Sequence, residues 1–321
     1  MSGPLLEIRG LRVEFATPRG VARVLVGVDL DVDRGEVVGL VGESGCGKSV
    51  TALAVLRLLR APGRVSGGRV RFQGRDLLAL PEPGMRGVRG RGIAMIFQAP
   101  RDCLNPVLTI GRQLGLLLAR HDRVAGGAAT ARARELCEMV ELPDPERVLR
   151  AYPHELSGGM CQRAMIALAL ACRPALLIAD EATTALDVTV QLQILRLLRG
   201  LRDTLGLAQL IITHNLGVVA EACQRVAVMY AGEIVETAAV GELFAAPRHP
   251  YTRRLLAARP RIGAAPDGEP IPGSVPDPLA RPPGCAFHPR CHRAQPRCGE
   301  QHPEPAVLGP GRTVRCYYPE P

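Results

Sequence analysis

The sequence predicts an α/β fold followed by a small, irregular, cysteine-rich tail. From Leu5 to Phe244 short β-branched runs alternate with longer segments of helical periodicity, the pattern of a sheet with covering helices. Inside that stretch the apolar run Glu36 to Val41 leads into Gly42-Glu43-Ser44-Gly45-Cys46-Gly47-Lys48-Ser49, and helical spacing resumes from Ser49 to Leu59. After Pro247 lie more than half of the 28 prolines, and the segments between Pro260 and Pro283 cannot sustain a helix or a central strand.

With 321 residues there is room for one large domain or two ordinary ones. Apolar residues make up 47% of the chain, and the longest apolar run, around Ala164 to Cys172, is half of the roughly 18 residues a membrane helix needs. The N-terminus carries no charged-then-apolar leader, so the ten cysteines point to a reducing compartment rather than a disulfide scaffold. A net charge of +9 is compatible with an anionic partner, but the arginines are scattered and aromatics are only 3%, which leaves little to stack on bases. A solvated basic surface is the expectation, with no nucleic-acid partner.

The glycine loop comes first among the elements. Of the 40 Lys and Arg residues only Lys48 is lysine, at the one place where a compact ammonium fits and a guanidinium fork does not. Glycines before a helix N-terminus let backbone N–H groups converge on an anion at the positive end of the helix dipole. In such a loop Lys48 reaches the β- and γ-phosphates of a nucleoside triphosphate, and Ser49 ligates Mg²⁺. Ile93 to Phe97 predicts a short strand ending at Gln98, and Asn105 to Glu141 an all-helical insertion broken at Gly126 and Gly127. Leu156-Ser157-Gly158-Gly159-Met160 predicts a second helix N-terminus with Ser157 as cap, a second anion cradle where one triphosphate needs only one. Leu176 to Ala179 predicts a buried strand ending in Asp180 and Glu181, one acid for Mg²⁺ and one to polarise a water. A helix from about Val188 to Asp203 and a strand Gln209 to Thr213, followed by His214, complete the core.

Taken in this order, the motifs resemble the ATP-binding-cassette (ABC) ATPase family over Leu5 to about Phe244. The resemblance implies a P-loop NTPase cassette over 1–246: a RecA-like core, an N-terminal antiparallel β subdomain and a helical insertion at about 101–160. It implies that Gly42 to Val50 bind the phosphates, that Phe15 stacks on adenine and that Gln98 senses the γ-phosphate and Mg²⁺. Ser49, Gln98 and Asp180 then surround Mg²⁺, Glu181 orients the attacking water, and His214 contacts the γ-phosphate. Ser157, Gly158 and Gly159 complete the ATP site of an opposing subunit in a head-to-tail dimer, and Ala185-Leu186-Asp187 looks like the loop that crosses its interface.

Met95-Ile96-Phe97-Gln98, Leu104-Asn105-Pro106, Tyr152-Pro153-His154-Glu155-Leu156 and His249-Pro250-Tyr251-Thr252 are similar to the oligopeptide/dipeptide permease subfamily, which also serves nickel importers. That implies the ATP-hydrolysing subunit of a peptide importer on the cytoplasmic face of the inner membrane. Its partners are a second ATPase subunit, a heterodimer being favoured, two integral membrane permease subunits and an extracytoplasmic solute-binding protein. A nickel or other small-solute importer is the alternative, then a non-transport ATPase of the same family acting on nucleic acid. Departures are Ala99, Arg101-Asp102-Cys103, Cys161, Ala182 and Asn215, none of which removes a phosphate, Mg²⁺ or water-handling group.

The tail, 247–321, carries Cys285, Cys291, Cys298 and Cys316. So small and proline-rich a stretch needs a staple, and in a reducing compartment a metal suits it better than a disulfide. Zinc with His288, His292 or His302 as substitutes, an iron–sulfur cluster on the four thiolates, and unliganded thiols are all open from the residues. The subfamily resemblance implies a 4Fe-4S cluster. Cys46, inside the phosphate loop, is expected to make the ATPase sensitive to thiol reagents.

Overall fold

The computed structural model describes residues 3–121, 124–182, 187–258 and 271–321. They form two compact units, one of Met1–Asp33, Val37–Ala79 and Ile211–Pro321, the other of Arg34–Glu36 and Leu80–Leu210.

The first unit opens with an antiparallel sheet in which Leu6–Thr17 lies between Gly20–Val32 and Gly63–Phe72, with Arg75–Asp76 at the edge. Leu6, Ile8, Leu11 and Val13 are buried, and a register shift between Ile8 and Leu11 keeps both ends of the strand facing the same core. A second set of strands places the phosphate loop. Val37–Val41 is buried at all five positions and pairs in parallel with Arg225–Tyr230, so its glycine loop leaves the sheet at the C-terminal strand end, where α/β folds hold ligands. Arg225–Tyr230 pairs antiparallel with Glu233–Ala239.

The tail has more order than its composition predicts. Arg312–Val314 pairs antiparallel with Glu233–Ala239, and Ala306–Gly309 pairs with Arg312–Val314 in turn. Phe287 of the tail is buried beside Tyr230 and Tyr251, with ring centroids 5.1 and 5.4 Å away, in the same core as Val41 and Val228. Burying a ring of that size stabilises by roughly 1.5–3 kcal/mol. The tail therefore extends a sheet and shares a core rather than building its own. The expected linker falls partly at 259–270, outside the described residues; Ile271 to Pro283 contains neither helix nor strand.

In the second unit Ile93–Ile96 pairs in parallel with Leu176–Asp180. Helices Ile110–His121, Gly126–Met139, Pro145–Arg150 and Gly158–Leu170 enclose a core that includes Leu114, Leu136, Cys161 and Ile166, each buried. Strand Ala208–Thr213 starts in this unit and ends in the other. Boundaries differ from expectation where backbone geometry overrides side-chain pattern. The helix after the phosphate loop ends at Val55 rather than Leu59, because Arg57 adopts a left-handed φ of 52°. Gly126 opens a helix instead of breaking one. Among the described residues no helix is long and apolar enough to cross a membrane.

Candidate active-site residues

The helix Lys48–Val55 begins directly at the phosphate-loop lysine, its N-cap Gly47 at φ 111°, with no side chain capping the first turn. A helix N-terminus of this kind presents its leading N–H groups to an anion. Lys48 is 6% exposed, and its Nζ donates to the carbonyls of Gly42 at 2.8 Å and Glu43 at 2.9 Å. A Cβ on Gly42 would lie 2.2 Å from the Met229 carbonyl oxygen, so only glycine lets the loop pass this strand. Ser44, Gly45 and Ser49 are exposed and Val50 is half-buried. Cys46 is buried, and burial pushes its thiol up despite the nearby Lys48 ammonium.

Two more expected residues lie in this unit. Phe15 is half-buried, its ring so close over Gly63 that a Cβ there would meet Cε1 at 2.5 Å. His214 is exposed just beyond the strand end at Thr213, where Asn215 donates its N–H to Thr213 Oγ1 at 2.9 Å and caps the next helix.

The second unit holds the acids and the second cradle. Asp180 closes the buried strand at 6% exposure, and Glu181 follows at a left-handed φ of 48°. A non-glycine residue held there costs on the order of 1 kcal/mol and is found most often at functional sites. Gln98 Nε2 donates to Glu181 Oε2 at 2.8 Å, so two residues 83 positions apart meet side chain to side chain. Ser157 caps helix Gly158–Leu170, its Oγ accepting from the Met160 N–H at 3.3 Å. A Cβ on Gly159 would lie 3.1 Å from Val190. Arg163 anchors the same helix from within, donating to the Val140 carbonyl at 2.7 Å and to Glu141 at 2.9 Å. Ala185 and Leu186 lie outside the described residues; Asp187 caps helix Val188–Leu205 by accepting from the Val190 N–H at 2.9 Å.

Comparison with known proteins bears on these residues directly. The ABC transporter family model matches residues 25–184, and the model of the oligopeptide/dipeptide transporter C-terminal region matches 235–298. The chain is 53% identical to a "Probable peptide ABC transporter ATP-binding protein" of Sinorhizobium fredii, over 98% of this chain and 94% of that one. It is 46% identical to the oligopeptide transport ATP-binding protein AppD of Bacillus subtilis, over 98% of this chain and 96% of that one. The chain belongs to the ABC transporter ATP-binding proteins, in the oligopeptide/dipeptide subfamily. Among solved structures it resembles the dimeric ATP-binding cassette MJ0796 bound to ADP and Pi, with a TM-score of 0.66 and 27% identity over 73% of this chain and 98% of that one. The fold is the ABC cassette, with its antiparallel N-terminal sheet, a mixed sheet and a C-terminal extension.

In that extension Cys285, Cys291, Cys298 and Cys316 line one small cavity, together with His249, Phe287, His288 and Tyr317. The backbone N–H of Arg293 donates to Cys291 Sγ at 3.4 Å, and those of Phe287 and Tyr318 point likewise at Cys285 and Cys316. Burial pushes the Cys285 thiol up to about 11 and the Cys316 thiol up to about 12. Two of the candidate zinc histidines are engaged elsewhere: His292 pairs with Glu320 at 3.0 Å and His302 with Glu233 at 2.7 Å. Among the described residues no three His, Cys, Asp or Glu side chains are gathered closely enough to hold a single metal ion. Two residues that the sequence did not single out for chemistry touch the phosphate loop. Tyr251 Oη accepts the Glu43 N–H at 2.9 Å, and Arg290 forms a twofold hydrogen-bonded pair with the Glu43 carboxylate. Nothing in the local pattern signals Arg290, which lies 247 positions from its partner.

Proposed function

We propose that this ABC ATPase energises peptide import, with Glu181 as the residue that orients the attacking water. The observation that carries the assignment is the 2.8 Å hydrogen bond from Gln98 to Glu181, directly after the buried Asp180 at a strand end. An amide that holds one carboxylate oxygen fixes the other's direction, and positioning supplies most of the catalysis in phosphoryl transfer. Lys48 and the N–H groups of Gly42 to Val50 bind the phosphates, His214 contacts the γ-phosphate and Phe15 stacks on adenine. Ser49, Gln98 and Asp180 hold Mg²⁺, which neutralises phosphate charge when bound.

Ser157, Gly158 and Gly159 serve the nucleotide of a second ATPase subunit in a dimer, a heterodimer in the reading favoured here. The pair works at the cytoplasmic face of the membrane against two permease subunits, with an extracytoplasmic solute-binding protein delivering the peptide. The test is Glu181→Gln in the assembled transporter: ATP should still bind, hydrolysis should fall at least a hundredfold, and a closed dimer should accumulate. Hydrolysis at the wild-type rate would remove Glu181 from the role.

The extension is assigned a 4Fe-4S cluster on Cys285, Cys291, Cys298 and Cys316. Four cysteines around one cavity support it. Protein purified without oxygen should contain about four irons and four acid-labile sulfides per chain. Zinc in place of iron would overturn the cluster.

A further inference from the structure

We propose that Arg290 is a positioning residue of the phosphate loop, and that through it the C-terminal extension sets how tightly the chain holds ATP. The proposal rests on the loop being the ATP site, as argued above. Arg290 Nη1 donates to Glu43 Oε2 at 2.8 Å and Nη2 to Glu43 Oε1 at 2.9 Å, the parallel two-bond arrangement of a guanidinium on a carboxylate. The guanidinium is itself fixed. It is 7% exposed, its Nε donates to the Pro272 carbonyl at 2.7 Å, and Nη1 reaches Tyr230 Oη at 3.3 Å. Glu43 is grasped a second time through its backbone, where Tyr251 Oη accepts its N–H at 2.9 Å. The same residue's carbonyl accepts from Lys48 Nζ at 2.9 Å.

Glu43 is therefore the point where the loop is held from outside. Its side chain and N–H are fixed by residues 251 and 290, and its carbonyl faces the ammonium that must reach the phosphates. A glycine-rich loop has many backbone states to lose on binding an anion, and a clamp at one residue removes part of that cost in advance. The clamp is set by the extension's own geometry. Arg290 stands at the end of the short segment Cys285–Cys291, whose Phe287 packs against Tyr230 and Tyr251. What fixes the two cysteines also fixes the clamp.

The test is nucleotide binding by the full chain, measured by calorimetry with ATP and Mg²⁺, alongside thermal unfolding without nucleotide. Arg290→Gln and Glu43→Gln should each weaken ATP binding about tenfold, and the double variant should bind no worse than either single one, as expected for two halves of one interaction. In the assembled transporter the loss should fall on the KM for ATP, with kcat nearly unchanged. If Arg290→Gln fails to fold, Glu43→Gln carries the test alone, since its side chain is partly exposed. Affinities equal to wild type in both single variants, or losses that multiply in the double variant, would overturn the clamp. Lys48→Ala separates the two readings. Unchanged ATP binding in Lys48→Ala means that the loop is not the ATP site, whereas lost binding there with normal binding in Arg290→Gln overturns only the clamp.

Discussion

At the scale of the residue, Cys46 shows how burial decides reactivity. Its place in the phosphate loop predicts a reactive thiol, yet it is 1% exposed and burial holds the thiol protonated. The thiolate is the nucleophile, so a buried thiol with a raised pKa is inert whatever loop it occupies. Cys103 is the exposed contrast. N-ethylmaleimide on the native chain should label Cys103 well before Cys46, as peptide mass spectrometry would show, and Cys46→Ala should leave any inactivation by the reagent unchanged. Labelling of Cys46 at a rate matching Cys103 would contradict the burial seen here. Gly42 makes the opposite point, since its role was legible from the motif while its cause was not. The carbonyl of Met229, 2.2 Å from a would-be Cβ, belongs to a strand nearly 190 positions later in the chain.

At the scale of the element, the helix at Ser157 is where local sequence and function meet. Ser157 satisfies the Met160 N–H while presenting the first-turn backbone of Gly158 and Gly159, so the cap that starts the helix also shapes the second cradle. Ser157→Ala should cost about 1 kcal/mol of helix stability, read as a drop of about 2–4 °C in thermal unfolding. It should also lower ATPase activity in the assembled transporter. Activity lost with no change in unfolding would mean that the hydroxyl serves only the nucleotide. The strand–loop–helix of the phosphate site, the acid-ended strand and this cap were legible because each is written within about a dozen consecutive residues. Arg312–Val314 was not, being three residues long and a strand because Glu233–Ala239 and Ala306–Gly309 lie on either side of it. Arg57 likewise ends its helix by backbone conformation, which no spacing of apolar side chains reveals.

At the scale of the whole molecule, the question is what keeps a proline-rich tail in register with an ATPase core. Buried carboxylates answer it within the first unit. Glu233, 4% exposed on a core strand, meets Arg281 and His302 of the tail, and Glu236, 1% exposed on the same strand, accepts the backbone N–H groups of Arg248 and His249. Burial alone would push the Glu233 carboxyl up, but His302, Arg281 and Arg315 together hold it below its ordinary value. A carboxyl whose folded pKa lies below its unfolded one adds stability that is fully present above the ordinary carboxylate range and is lost as the pH falls through the folded value. Glu236, on the same strand, is pushed up by burial and acts with the opposite sign. The measurement must therefore be a difference. Glu233→Gln should be less stable than wild type at pH 7, and the gap should close as the pH falls below the ordinary carboxylate range and through the lower folded value, because only the wild type loses an ionised Glu233 there. Urea unfolding of the full chain across that range, followed at two wavelengths, would check it. A gap that stays constant with pH would mean that Glu233 holds the tail by shape and hydrogen bonding rather than by charge. A gap that closes would make acid the simplest way to loosen the extension, and with it the arginine that grips the phosphate loop.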